Sequence, residues 1–247
     1  MKTKPLVILC VVGFVAVGTS LGLGFLLGSV VKAGVNRFGP KITQSRVELA
    51  SAHISPFNGS GQLAGLTVGN PEGWSDNPAF YLGQIAIDLK PFSVFSDHIV
   101  INELIIDQPV FAYETRIVSS NLKELLKNIE AFTAGGGDHA KSQGGKPIKF
   151  VVKKLRLTNG RASLGLGPAA LVAPLPPIAL DNLGVAEGGI TPDELAGVVM
   201  KNVLGSIVKA SAAATLRGTG ALGAGAVEVV GDAAGKAGEG IKKLLGK

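Results

Sequence analysis

The chain of 247 residues has a single cysteine, Cys10, so it can form no intrachain disulfide, and cysteine usage does not reveal its compartment. Its three histidines, His53, His98 and His139, stand far apart with no cysteine near them, and zinc-ligand spacing is therefore missing. No P-loop occurs, and no glycine-rich turn follows a strand and opens a helix. The serines lack a nucleophile-elbow context. Asp97 and His98 are adjacent, which on a strand would point them to opposite faces, and they read as part of a turn. These absences predict no catalytic residues, no metal and no cofactor: the chain does not read as an enzyme.

A basic stripe is also missing. The formal charge is +6, but it gathers at the ends. Residues 1–32 carry Lys2, Lys4 and Lys32 and no acid, and residues 201–247 carry seven bases against three acids. The middle is nearly neutral, which argues against nucleic acid as a partner. Aromatics are few, at 5%, yet hydrophobic residues reach 46%. With a mean hydropathy of +0.37, part of that apolar content is expected in a bilayer rather than a core.

The N-terminal run from Pro5 to Val31 contains no charge and exceeds the roughly 20 residues that cross a hydrocarbon core. A cleavable signal would have a shorter apolar region of about 7–15 residues, so residues 1–32 read as a cytoplasmic stub and an uncleaved single-span anchor. Lys2 and Lys4 favour a cytoplasmic N-terminus. The spacings Gly18 to Gly22 and Gly24 to Gly28 would admit a second helix at close range, although glycine is common in membrane helices anyway.

Residues 33–190 read as one β-rich domain. A spacing of apolar residues at i, i+2, i+5 and i+7 appears three times: Gly61, Leu63, Leu66, Val68; Ile99, Ile101, Leu104, Ile106; and Phe150, Val152, Leu155, Leu157. Strand side chains alternate, so the three-residue step would throw half of each set to the wrong face unless a β-bulge absorbs one residue and bends the strand. Each copy runs into a turn signal, "GNP", "DQP" or "TNG". The segments after the second and third, 109–118 and 160–166, are expected to pair back as hairpin partners.

Ile85, Ile87 and Leu89 alternate with polar or small residues, as in a half-buried strand. Residues 45–55 read as extended, and 175–184 offer another strand, with Pro176 and Pro177 confining it to an edge or to its start. The expectation is a mostly antiparallel curved sheet with one apolar face. Leu122, Leu125, Leu126 and Ile129 mark a short amphipathic helix over 119–132, capped by Asn121. The glycine-rich stretch 133–146 reads as a disordered loop.

Taken in order, "FGPKIT", "ISPFNGSGQLAGLTVGNPEGW", "LGQIAIDL", "FSDHIVINELIIDQPVFAYE", "SNLKELLKNI" and "LPPIALDNLG", behind an uncleaved N-terminal helix, resemble the N-terminal part of the AsmA family of bacterial envelope proteins. The resemblance covers roughly residues 1–190. It implies a periplasmic sheet folded into an apolar groove, in proteins linked to outer-membrane assembly and, for long members, to lipid transfer. A chain of this length would be a stub or one protomer of any bridge across the periplasm.

Beyond the sheet, 191–220 reads as an amphipathic helix and linker, opened by a Thr191–Glu194 capping box with Pro192 at the first helical position. Val199, Met200, Val203, Leu204 and Ile207 share one face. That face either packs on the sheet, meets another copy or an envelope protein, or docks on a membrane surface. The Ala/Gly/Lys-rich tail, 221–247, repeats an amphipathic pattern that orders on a partner or anionic lipid, or stays solvated.

The expected class is therefore mainly β with helices (α+β), in a protein of the bacterial inner membrane whose bulk is periplasmic. The groove-lining candidates are Leu63, Leu66, Val68, Ile85, Ile87, Leu89, Ile99, Ile101, Leu104, Ile106, Phe150, Val152, Leu155 and Leu157. In one reading they bind phospholipid or a partner in support of envelope lipid homeostasis or outer-membrane assembly. In the other, the protein is a non-catalytic scaffold whose groove is filled by its own 191–209 helix.

Overall fold

The computed structural model describes residues 4–96, 98–136, 145–165 and 170–217, with side chains described between 24 and 213 within those ranges. The fold is mixed α+β: an open, curved sheet of nine strands with three helices. In chain order these are α1 (Lys4–Thr43), β1 (Val47–Ile54), β2 (Ser60–Gly69), β3 (Pro78–Leu89), β4 (His98–Asp107), β5 (Val110–Tyr113), α2 (Asn121–Ala134), β6 (Lys149–Thr158), β7 (Arg161–Leu164), β8 (Leu171–Pro174), β9 (Ile178–Leu183) and α3 (Pro192–Arg217).

The segments expected to return as hairpins do not do so. β5 does not pair with β4; it pairs with the start of β3, Phe80 with Phe111 and Tyr81 with Val110. That register continues the one set further along β3, where Gln84 faces Asp107 and Ile85 faces Ile106. So β4 and β5 are one long strand with a kink at Gln108–Pro109, and β6 and β7 are another with a kink at Asn159–Gly160. β8 and β9 follow suit on the outer side, pairing β7 and β6 in one continuous register around Leu175–Pro177.

The residues that looked like turns are Gln108 and Asn159, both left-handed at φ 52° and 54°. The kinks stay stitched across the sheet. Gln108 N–H donates to Thr158 O at 2.9 Å, Arg161 N–H to Pro109 O at 2.9 Å, and Leu175 N–H to Gly160 O at 2.8 Å. Because β3 is long enough to hold both halves, each left-handed residue bends its strand instead of reversing it.

The sheet is also not wholly antiparallel. β4 runs parallel to β6 and β5 parallel to β7, an arrangement that requires a crossover; α2 lies within it. The second and third copies of the spacing are thereby laid side by side in register, Leu104 on Leu155 and Ile106 on Leu157. The first copy is displaced along the sheet: across β3, Leu104 is level with Gly61, while Leu66 faces Leu82.

The three-residue step does coincide with sheet irregularities. The β3–β4 register shifts between Asp88 and Leu89, leaving an extra residue on β4 between Ile101 and Leu104. In β2 the step falls at Gly65, whose φ of 67° only glycine adopts without strain. The same step runs through Val47, Leu49, Ala52 and Ile54 of β1, and through Phe80, Leu82, Ile85 and Ile87 of β3. The paired strands therefore bend together.

Helices cover the apolar side. α1 runs along β1, which among the described strands pairs with β2 alone, and Asn36 Oδ1 accepts the Leu49 N–H at 2.7 Å. Covering that edge in this way removes a template for aggregation. α2 starts from Ser120, whose side chain accepts from Lys123 N–H; Asn121, the expected cap, has another role described below. α3 opens as expected, with Thr191 N–H donating to Glu194 Oε2 at 2.7 Å and Glu194 N–H to Thr191 Oγ1 at 3.4 Å. α2 and α3 are tied by Lys201 and Glu130 at 2.8 Å.

Candidate functional site

The sheet positions singled out from the sequence fall into two adjoining cores. Val68, Ile85, Ile106 and Leu157 are buried in the larger, with Leu63, Leu66, Ile87 and Leu104 half-buried against it. Leu89, Ile101, Val152 and Leu155 are buried in the smaller, with Ile99 and Phe150 against it. The larger core also contains Met200, Val203 and Ile207 of α3, with Val199 and Leu204 alongside, and Leu122, Leu125 and Ile129 of α2. Residues of α2 and α3 thus pack in one core with the curved apolar face. Pro192–Ala213 is by length and composition apolar enough to cross a membrane, and its buried residues pack with α2 and the sheet.

Of the expected span bounds, Pro5 lies in α1, its side chain outside the described residues, and Val31 packs with Leu27 into the smaller core beside Ile54. A Cβ on Gly28 would come within 2.0 Å of Ala52 O, and one on Gly24 within 3.2 Å of Ile54 O. Gly24 and Gly28 thus receive a strand, while the surroundings of Gly18 and Gly22 lie outside the described residues.

At the far end of β2, a buried polar cluster ties the β2–β3 loop to the start of α2. Glu114, 3% exposed, accepts from Asn70 Nδ2 at 2.7 Å and from Ser75 Oγ at 2.5 Å. Asn121 donates through Nδ2 to Asn70 Oδ1 and Ala112 O, both at 2.7 Å, and accepts from Glu114 N–H at 3.0 Å and Leu122 N–H at 2.8 Å. Trp74 donates to Glu124, and the Arg116 guanidinium stacks over the Trp74 ring at 4.4 Å while donating to Gly73 O. Every partner belongs to the cluster itself, so it reads as a structural clamp. Sequence reasoning missed it, since a carboxylate and two amides so far apart along the chain carry no local signal.

On the outer face, Asp107 accepts from Thr158 Oγ1 at 2.9 Å and Asn159 Nδ2 at 2.7 Å. These bonds, Asn159 foremost, hold its carboxyl below the ordinary aspartate range. His53 and His98 are exposed on β1 and β4, and Asp97 and His139 lie outside the described residues. Among the described residues no group of three or more His, Cys, Asp or Glu could hold a metal ion. Comparison with protein-family models, curated proteins and solved structures finds no match to this chain.

Proposed function

We propose that this chain is a non-catalytic, AsmA-like scaffold of the bacterial envelope, tethered to the inner membrane with its bulk in the periplasm, and that its groove is filled by its own C-terminal helix. The observation that carries this reading is the shared burial of Met200, Val203 and Ile207 with Ile85, Ile106 and Leu157. An apolar sheet face left open would expose a large patch and demand an occupant, and the packing of α2 and α3 with that face supports this reading. Gly24, Leu27, Gly28 and Val31 are engaged with the sheet and the smaller core, so the tether is the stretch 5–23. As a helix it reaches about 28 Å, close to the hydrocarbon thickness of a bilayer. Support for envelope lipid homeostasis or outer-membrane assembly would then come from holding a partner on the surface rather than from carrying lipid.

A second reading, lipid in the groove, draws on the half-burial of Leu63, Leu66, Ile87 and Leu104 and requires α3 to move aside. Native mass spectrometry of the detergent-extracted protein, paired with hydrogen exchange, separates the two. The scaffold reading expects no co-purifying phospholipid and a protected 192–209 segment; bound phospholipid with rapid exchange there overturns it. Protease cleavage within 133–146 in spheroplasts tests the orientation, and cleavage only after lysis reverses it.

A further inference from the structure

One end of the molecule carries an unusual concentration of exposed aromatic rings. The β1–β2 turn, 55–59, and the β3–β4 connection, 90–96, are joined by Phe92 N–H donating to Pro56 O at 3.1 Å and Leu89 N–H to Gly59 O at 2.7 Å. Phe57, Phe92 and Phe95 are 47%, 57% and 57% exposed. Phe57 and Phe92 meet edge to face with centroids 5.9 Å apart. Phe92 is held in the left-handed region at φ 63°, where a phenylalanine is an outlier and glycine or asparagine would fit without strain. In a protein with few aromatics, three phenylalanines shown to water at one tip require an explanation other than core packing.

The tip is continuous with α1. Val94, from the short 3-10 turn Ser93–Phe95, shares the smaller core with Leu27 and Val31 of α1 and with Ile54. Gly24 lies level with Ile54, just before the β1–β2 turn. On α1 itself, Phe25 and Leu26 are 71% and 61% exposed. The only charge in 55–59 and 90–96 is Lys90, which is exposed.

We infer that Phe57, Phe92 and Phe95 are a membrane-docking tip: they enter the interfacial region of the bilayer that holds residues 5–23 and seat the sheet end-on upon it, with Lys90 facing anionic headgroups. The inference rests on the tether reading. A helix that leaves the hydrocarbon near residue 23 brings Gly24, and with it the turn after Ile54, to headgroup level. Rings that are costly in water are favourable there, because apolar side chains beside basic ones suit the boundary between acyl chains and headgroups. A lone helix can tilt in the bilayer and carry the sheet with it, whereas a helix with a ring-bearing foot beside it fixes that angle.

The test uses the full chain in liposomes of phosphatidylcholine and phosphatidylglycerol, with and without acyl chains brominated near the headgroup. Trp74, the protein's one tryptophan, sits beyond the opposite end of β2, roughly 30 Å away at about 3.3 Å per strand residue. It therefore serves as an internal control. Phe57→Trp and Phe95→Trp are made separately with Trp74 left in place. Flotation of the proteoliposomes after alkaline washing first establishes that the chain is tethered. In floated samples the added tryptophan should lose at least half its emission to brominated lipid and shift to the blue, while the parent changes by less than a tenth. Unquenched, water-like emission from both added tryptophans in a chain that floats overturns the docking tip and leaves the tether intact. A chain that does not float overturns the tether reading and the tip with it.

Discussion

Gly28 of α1 lies so close to Ala52 of β1 that a Cβ would stand 2.0 Å from the strand's carbonyl oxygen. Backbone cannot yield as a side-chain tip can, so any larger residue must push the helix off the strand. Gly28→Ala should therefore destabilise the protein by about 1–3 kcal/mol through overpacking. Gly34, with nothing within 4 Å of its would-be Cβ, should behave oppositely, Gly34→Ala gaining about 1 kcal/mol from helix propensity. Urea unfolding in detergent micelles measures both; equal effects at the two sites would refute the close approach.

Asn36 supplies the acceptor for Leu49 N–H, and Leu49 is fully buried. Asn36→Leu leaves that donor without a partner, at a cost of about 1–3 kcal/mol. The exchange rate of the Leu49 amide should rise together with the loss of stability, whereas amides of β9 should change only as far as global stability dictates.

The Asn121 side chain makes four hydrogen bonds in the clamp around Glu114. Asn121→Ala strands Glu114 N–H and Ala112 O, and about 2–3 kcal/mol should be lost on unfolding. Asn121→Asp keeps the acceptor but forfeits both donor bonds, so it should also destabilise. Urea unfolding measures both, and a loss below 1 kcal/mol in each variant would count against the clamp.

Asp107 is held below the ordinary aspartate range by Asn159 and then Thr158, with burial opposing and Gln108 N–H assisting. Its folded-state pKa lies below the unfolded value of about 3.9. The stability it contributes is therefore complete above that value and is lost as pH falls through the folded one. The gap in urea midpoint between the parent and Asp107→Asn should be present at pH 6 and close as pH falls through the folded-state value. The carboxyl is solvent-exposed, so the gap should also be small and narrow with salt.

Ile207 of α3 is fully buried in the larger core. Ile207→Ala should cost about 2–5 kcal/mol and accelerate exchange throughout α3. If the variant lost less than 1 kcal/mol, the helix would be a loose cover rather than the resident of the sheet face.

The three-residue step was legible because side-chain direction along a strand is local: Leu104, Ile106 and their counterparts Leu155 and Leu157 had to share a face, and a bend was the way to achieve it. The kinks at Gln108 and Asn159 were misread for an equally physical reason. One left-handed residue looks the same whether the chain then reverses or merely bends, and the outcome depends on whether β3 has length left to pair with the next segment. Asn70, Glu114 and Asn121 were invisible because each is an ordinary loop or cap residue until folding brings them together.

Sequence alone determined which side of each element is apolar, that the sheet must curve, where the capping box opens α3, and that an uncharged stretch precedes Lys32. Tertiary structure decided what lies against those surfaces: β1 against the glycines of α1, one repeat beside another in parallel, and the buried face of α3 against α2 and the sheet. The division follows from range. Period and propensity are set by neighbours in the chain, but an apolar face is satisfied by any matching surface, and only packing of the whole molecule selects which one.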